Sequence, residues 1–181
     1  MRNADEVIRF WFVEHGPEDW FGGKAEFDAE LAEGFATTHP QVAAGEAWGW
    51  RATPLGRLAE IIVLDQFSRQ LHRGSPVAFA QDTMALVLAQ EALAAGADGQ
   101  VEGMQRPFFY LPFMHSESLL IQDEGVRLYE AMGNAEQLDF MVKHRDVIAR
   151  FGRFPFRNKA LGRQSTPEET SYMAEQNGRM F

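Results

Sequence analysis

The sequence predicts an all-α protein of stacked antiparallel helical hairpins, about seven helices in all. Three observations carry that prediction. Apolar residues recur every three or four positions, strand-like alternation is scarce, and helix start and stop signals punctuate the chain at short intervals.

Val7, Phe10 and Trp11 share one face of a first short helix, followed by the loop EHGPEDWFGG. Phe27, Leu31 and Phe35 recur every four residues and mark a second helix. It ends before His39-Pro40, because the residue before a proline avoids the helical region. The connection GEAWGWRATP leads into a strong helix from about Leu55 to Leu71. Gly74-Ser75-Pro76 stops it and starts the next, with Ser75 as N-cap and Pro76 at the first helical position. Val77, Ala80, Met84, Leu88 and Ala95 then line one face until Gly96. A long helix is expected between about Pro107 and Met132, with Pro112 at its start or kinking its first turns. Gly133 and Asn134 break it, and Asn134 with Gln137 forms a capping box for a helix reaching Phe151. Thr166-Pro167-Glu168-Glu169 sets an N-cap, an N1 proline and an N3 glutamate in order for a final short helix.

At 181 residues the chain reads as one domain, 1–181, with ordinary globular composition. A net charge of -9 argues against a nucleic-acid surface. The absence of cysteine excludes thiolate chemistry, disulfides and Cys-ligated metals. MRNADEVIRF places acids where a signal peptide has its apolar core, and the longest apolar run, Pro107 to Met114, is too short for a membrane span. A cytoplasmic protein without membrane contact is expected.

Ionisable residues interrupt the apolar stripes of three helices. In LAEIIVLDQFSRQLHRG, Leu58, Ile62, Asp65, Arg69 and His72 form one stripe, and Asp65 and Arg69 stand at pairing distance. In FFYLPFMHSESLLIQDEG, His115 and Gln122 enter the stripe of Phe108, Leu111, Leu119 and Val126, with Glu117 beside it. In LDFMVKHRDVIARF, His144 lies between Phe140 and Val147, and Arg145 between Met141 and Ile148. Burying such groups costs several kcal/mol each unless they are paired. They are therefore expected to meet in a shared polar cleft. Held singly, each is read first as a structural group that fixes helix register.

The segment from Lys143 to Arg163 carries seven cations and one acid. Arg153, Arg157 and Arg163 suit bidentate recognition of a carboxylate or phosphate, and interleaved phenylalanines limit water. Equally, these arginines can neutralise the chain's own acids. No Walker A, GxGxxG, GxSxG, HExxH or ExxH pattern occurs, so no cofactor and no metal are expected.

VIRFWF, WFGGKAEFDAELAEGF, LDQFSRQLHRG, FFYLPFMHSE and KHRDVIARFGRFPFRNKALGRQSTPEE together resemble the bacterial family known as domain of unknown function 924. The resemblance spans essentially the whole chain. It implies an all-α domain of the tetratricopeptide-like superfamily and no established activity. It carries over Asp65, Gln66, Arg69, His115, Ser116, Glu117, His144, Arg145, Arg153, Arg157, Asn158 and Arg163. Gln70 and Ser118 depart from the family's Asn and Asp.

Three functional readings follow. In the leading one, a small anionic ligand or acidic peptide binds through Gln66, Arg69, Arg145, Arg153, Arg157, Asn158 and Arg163, with His115 and His144 adding pH dependence. In the second, His115 with Glu117, or His144 with Asp65, performs acid–base chemistry. In the third, the helices form a scaffold for a protein partner.

Overall fold

In the computed structural model, which describes residues 1–21 and 23–176, the regular elements are all helical. Ten rods follow one another among the described residues. They are α1 (4–14), α2 (Pro17–Trp20), α3 (Ala25–Phe35), α4 (Thr38–Ala43), α5 (54–71), α6 (Asp82–Ala94), α7 (Pro107–Met114), α8 (Leu119–Met132), α9 (Ala135–Phe151) and α10 (Pro167–Glu175). No described helix is long and apolar enough to cross a membrane.

Side-chain caps set four of the ten starts. Asn3 and Glu6 close a capping box on α1, and Thr53 accepts from the Gly56 amide with Pro54 at N1 of α5. Asn134 accepts from the Gln137 amide, and Thr166 and Glu169 cap each other reciprocally on α10. Each such cap contributes about 1 kcal/mol.

The count exceeds seven for identifiable reasons. Pro40 sits in the first turn of α4, where a missing N–H costs nothing, so His39-Pro40 does not exclude a helix. The expected rod from Pro107 to Met132 breaks at residues 115–118, not at Pro112, which lies inside α7. The Gln122 amide donates to both the Met114 and Ser116 carbonyls, at 2.7 Å each, and these bonds hold the break. After Ser75 the chain makes a 3-10 turn, Pro76–Phe79, and α6 begins only at Asp82. That delay changes the phase. Ala85, Leu88, Ala89 and Ala92 are buried, while Val77 and Met84 are exposed.

The residues group into two compact units, Met1–Arg73 with Val77–Pro112, and Gly74–Pro76 with Phe113 onward. In the first unit α5 packs against α1, α6 and the Trp48–Ala52 turn. Phe10, Phe27, Phe35 and Phe67 form its aromatic core, and Trp11 stacks on Trp20 with centroids 5.3 Å apart. Gly56 is needed there, since a Cβ would stand 1.9 Å from the Trp50 carbonyl oxygen. Both α1 and α5 contain a π-turn, at Phe10–Glu14 and Val63–Phe67, and all five residues of the second are buried. In the second unit α8 and α9 form a hairpin closed by Gly133, whose φ of 78° suits glycine. Val147, Ile148, Phe154 and Tyr172 make a core beside it.

Candidate functional site

The arginine-rich segment is built in the second unit as a chain of ion pairs. Gly152 ends α9 in the left-handed region, and the backbone from Arg153 to Thr166 turns back on itself. Arg153 donates to both carboxylate oxygens of Glu169, at 2.6 and 2.9 Å. Asn158 donates to Glu169 at 3.2 Å and accepts from Arg163 Nε at 2.9 Å. Arg163 in turn holds Glu117, which also accepts the Phe154 amide at 2.8 Å. Glu117, Arg163, Asn158, Glu169 and Arg153 thus form one continuous alternation of acceptors and donors.

Titration follows from those contacts. The Arg153 guanidinium, helped by the Thr166 amide, holds Glu169 at about 2. Burial pushes Glu117 up, but Arg163 and the Phe154 amide outweigh it and keep it below the usual carboxylate range. Both groups are therefore firm carboxylates, poor proton donors near neutral pH.

The remaining expected residues of this unit are also engaged. Arg157 stacks 4.5 Å over Phe154 and donates to the His115 carbonyl at 2.9 Å. His144 is buried, and its Nδ1 lies 2.7 Å from the Phe140 carbonyl oxygen, so that nitrogen carries the proton. Arg145 is half-exposed and pairs with Asp123 and Asp146. Ser116 accepts from the Ser118 amide.

In the first unit Asp65 and Gln66 are buried side by side in the π-turn of α5, and Gln66 donates to Asp65. Arg69 pairs with Asp65 at 3.0 Å and with Asp82 at 2.9 and 3.0 Å. Burial opposes the charge on Arg69, but the two aspartates outweigh it and raise its pKa. Two of the expected partners come from one helix. Asp82, at the start of α6, was not expected, because no local spacing links it to Arg69.

Two further arrangements lie outside the predicted set. His39 Nε2 is 2.7 Å from Ser68 Oγ, and Ser68 donates to the Leu64 carbonyl at 2.6 Å. The serine proton is committed to the carbonyl, so the histidine is the donor in that pair. Burial, then His72, lowers His39 to about 4. Both side chains are buried, a structural pairing without access for a substrate.

The other arrangement is a cleft of about 530 Å³ in the first unit. Phe12, Trp20, Leu55, Val101 and Met104 supply its apolar wall. His15, Gln100, Glu102 and Gln105 supply its polar groups. His15 is backed by Asp19, 3.2 Å from Nδ1, and by Glu30, 3.5 Å from Nε2. Glu102 and Gln105 bond each other's backbone amides in a capping box, which fixes the rim. These residues come from the π-turn of α1, the ends of α2 and α5, a loop and 3-10 turns, so no single periodic pattern marks them. In the second unit a hollow of about 300 Å³ is lined by Lys143, Arg150, Tyr172 and Gln176, among others. No group of three or more His, Asp or Glu among the described residues is placed to hold a metal.

Comparison with known proteins agrees with the fold. Residues 7–177 match the family described as bacterial protein of unknown function (DUF924). The chain is also similar to the solved structure of a protein of unknown function from Agrobacterium tumefaciens. Identity is 38%, with 95% of this chain and 97% of that one covered and a TM-score of 0.90. Nothing among curated proteins matches.

Proposed function

We propose that this chain, which belongs to the DUF924 family of bacterial proteins, is a small-molecule-binding protein whose ligand occupies the cleft of the first unit. The observation that supports this is the cleft itself. Its volume of about 530 Å³ falls in the range of ligand sites, and it combines an apolar wall with a few polar groups at the rim. Of the arginines first expected to bind the ligand, Arg69, Arg145, Arg153 and Arg163 have carboxylate partners of their own, and Arg157 is engaged by the His115 carbonyl and the Phe154 ring. An anion there must displace Glu117 or Glu169 from a bidentate pair. The His39–Ser68 pair, buried and with its proton committed, gives little support to hydrolytic chemistry.

Ligand-induced changes in amide resonances of isotope-labelled protein test the reading. Fragments with an aromatic or alkyl body should move the amides of residues 12–20 and 100–105. Met104→Trp fills the cleft from an exposed position and should abolish those shifts. Hits that leave both segments unmoved would refute it.

A second reading retains the anionic ligand and places it in the smaller hollow, where Lys143 and Arg150 stand beside a buried Tyr172 hydroxyl without a hydrogen-bond partner among the described residues. Arg150 lies over the Phe151 and Tyr172 rings and pairs with Glu168 at an exposed site, and a ligand displaces that ion pair at little cost. Calorimetric titration with citrate should then give a signal that Arg150→Ala removes. An unchanged signal in that variant would end this reading.

A further inference from the structure

We infer that the ligand of the first-unit cleft is an organic cation, a protonated amine carried on an aromatic or alkyl body. This deepens, and rests on, the reading of that cleft as the binding site. Three observations lead to it.

The first is the lining. Among the described residues, no lysine or arginine contributes to the wall, and Glu102 is its one formally charged side chain. The capping box uses that carboxylate for a single backbone amide, which leaves its charge unneutralised and acceptor capacity open. An arriving anion meets like charge at the rim, whereas an ammonium meets an acceptor.

The second is what stands behind the polar end. His15 is flanked by two carboxylates, Asp19 and Glu30. Asp19 also receives Lys24 at 2.8 Å, so part of its charge is answered. Glu30 has the more open side chain and adds to the negative potential at that end.

The third is the distribution of charge along the chain. The first unit holds sixteen acidic and eight basic residues, a net of -8. The second holds ten and nine, a net of -1. Nearly all of the chain's net charge therefore belongs to the unit that contains the cleft. A concave site in such a field concentrates cations. An ammonium over the face of the half-buried Phe12 ring gains a further attraction. Leu55, Val101 and Met104 give the uncharged body an apolar surface to cover.

Matched probes separate the ligand class from the site. Tryptamine, 3-methylindole and indole-3-acetate share one ring system and differ in charge. Calorimetric titration of the whole chain with each should rank tryptamine tightest, by about tenfold over 3-methylindole. Indole-3-acetate should bind weakest. Raising salt from about 0.05 to 0.5 M should shrink the tryptamine preference, because the cleft is open to solvent. Glu102→Gln keeps a side-chain acceptor for the capping amide and removes the charge, so it should erase most of that preference. Met104→Trp should abolish binding of all three probes.

If the uncharged or acidic probe binds as tightly as tryptamine while Met104→Trp still abolishes binding, the cation assignment is overturned and the cleft survives as a site. If no probe binds, or binding is indifferent to Met104→Trp, the cleft reading fails and takes the inference with it.

Discussion

Arg163 grips Glu117 with both arms of its guanidinium, Nη1 to Oε2 at 2.7 Å and Nη2 to Oε1 at 2.9 Å. The pair joins the 115–118 break to the segment after α9, and both side chains are largely shielded from water. Arg163 also donates to Asn158 and to the Phe154 carbonyl.

Removing either partner leaves the other with unmatched charge in a partly buried place. Arg163→Ala and Glu117→Ala should each cost about 2–4 kcal/mol in urea unfolding. Arg163→Lys should recover little, because one ammonium cannot match a planar fork. The double variant should cost less than the sum, with coupling of about 1–3 kcal/mol. Additive losses would mean that the two groups contribute independently.

Acid should unfold the protein in two windows. His39 has its pKa depressed from 6.5 to about 4, so the unfolded chain takes up that proton first. Stability is full above pH 6.5 and falls as pH drops toward 4. Glu169 is depressed from 4.5 to about 2, and its contribution is lost below pH 4.5. Each contributes at most about 3 kcal/mol. Midpoints of thermal unfolding against pH should flatten in the upper window for His39→Gln and in the lower one for Glu169→Gln. An unaltered upper slope in His39→Gln would show that His39 titrates alike in the folded and unfolded states.

The two buried glycines should differ. An added Cβ at Gly56 meets the Trp50 backbone, which cannot step aside. At Gly125 the nearest atoms are the flexible end of Met141. Gly56→Ala should cost about 3 kcal/mol or more, and Gly125→Ala about 1 kcal/mol. Equal losses in chemical denaturation would contradict the distinction.

How much of this was legible in the chain depends on where each decision is made. The starts of α9 and α10 are written in adjacent residues, Asn134 and Thr166-Pro167, and the helices begin there. The Asp65–Arg69 pair follows from helical spacing alone. The break at residues 115–118 does not, because Gln122 holds it from the next helix. That break takes Glu117 out of any helical stripe and lets it meet Arg163. Pairings such as Glu117–Arg163 and Arg69–Asp82 join distant segments, and only the tertiary fold selects them. The cleft was illegible for a different reason. Phe12 sits in the π-turn of α1, and His15 and residues 100–105 lie in loop and 3-10 turns, where α-helical periodicity does not distinguish a lining residue.

The π-turn at Val63–Phe67 accommodates one residue more than an ordinary α-turn. Deleting a single residue from it would let the backbone rewind into unbroken α-helix, with little local damage. Because five residues of π-turn and four of α-helix cover nearly the same rotation, Arg69 would keep its phase and its reach to Asp82. That surplus position therefore stores one residue of chain length outside the helical phase, so α5 tolerates there a length error that would turn its end by about 100° if it fell in plain α-helix.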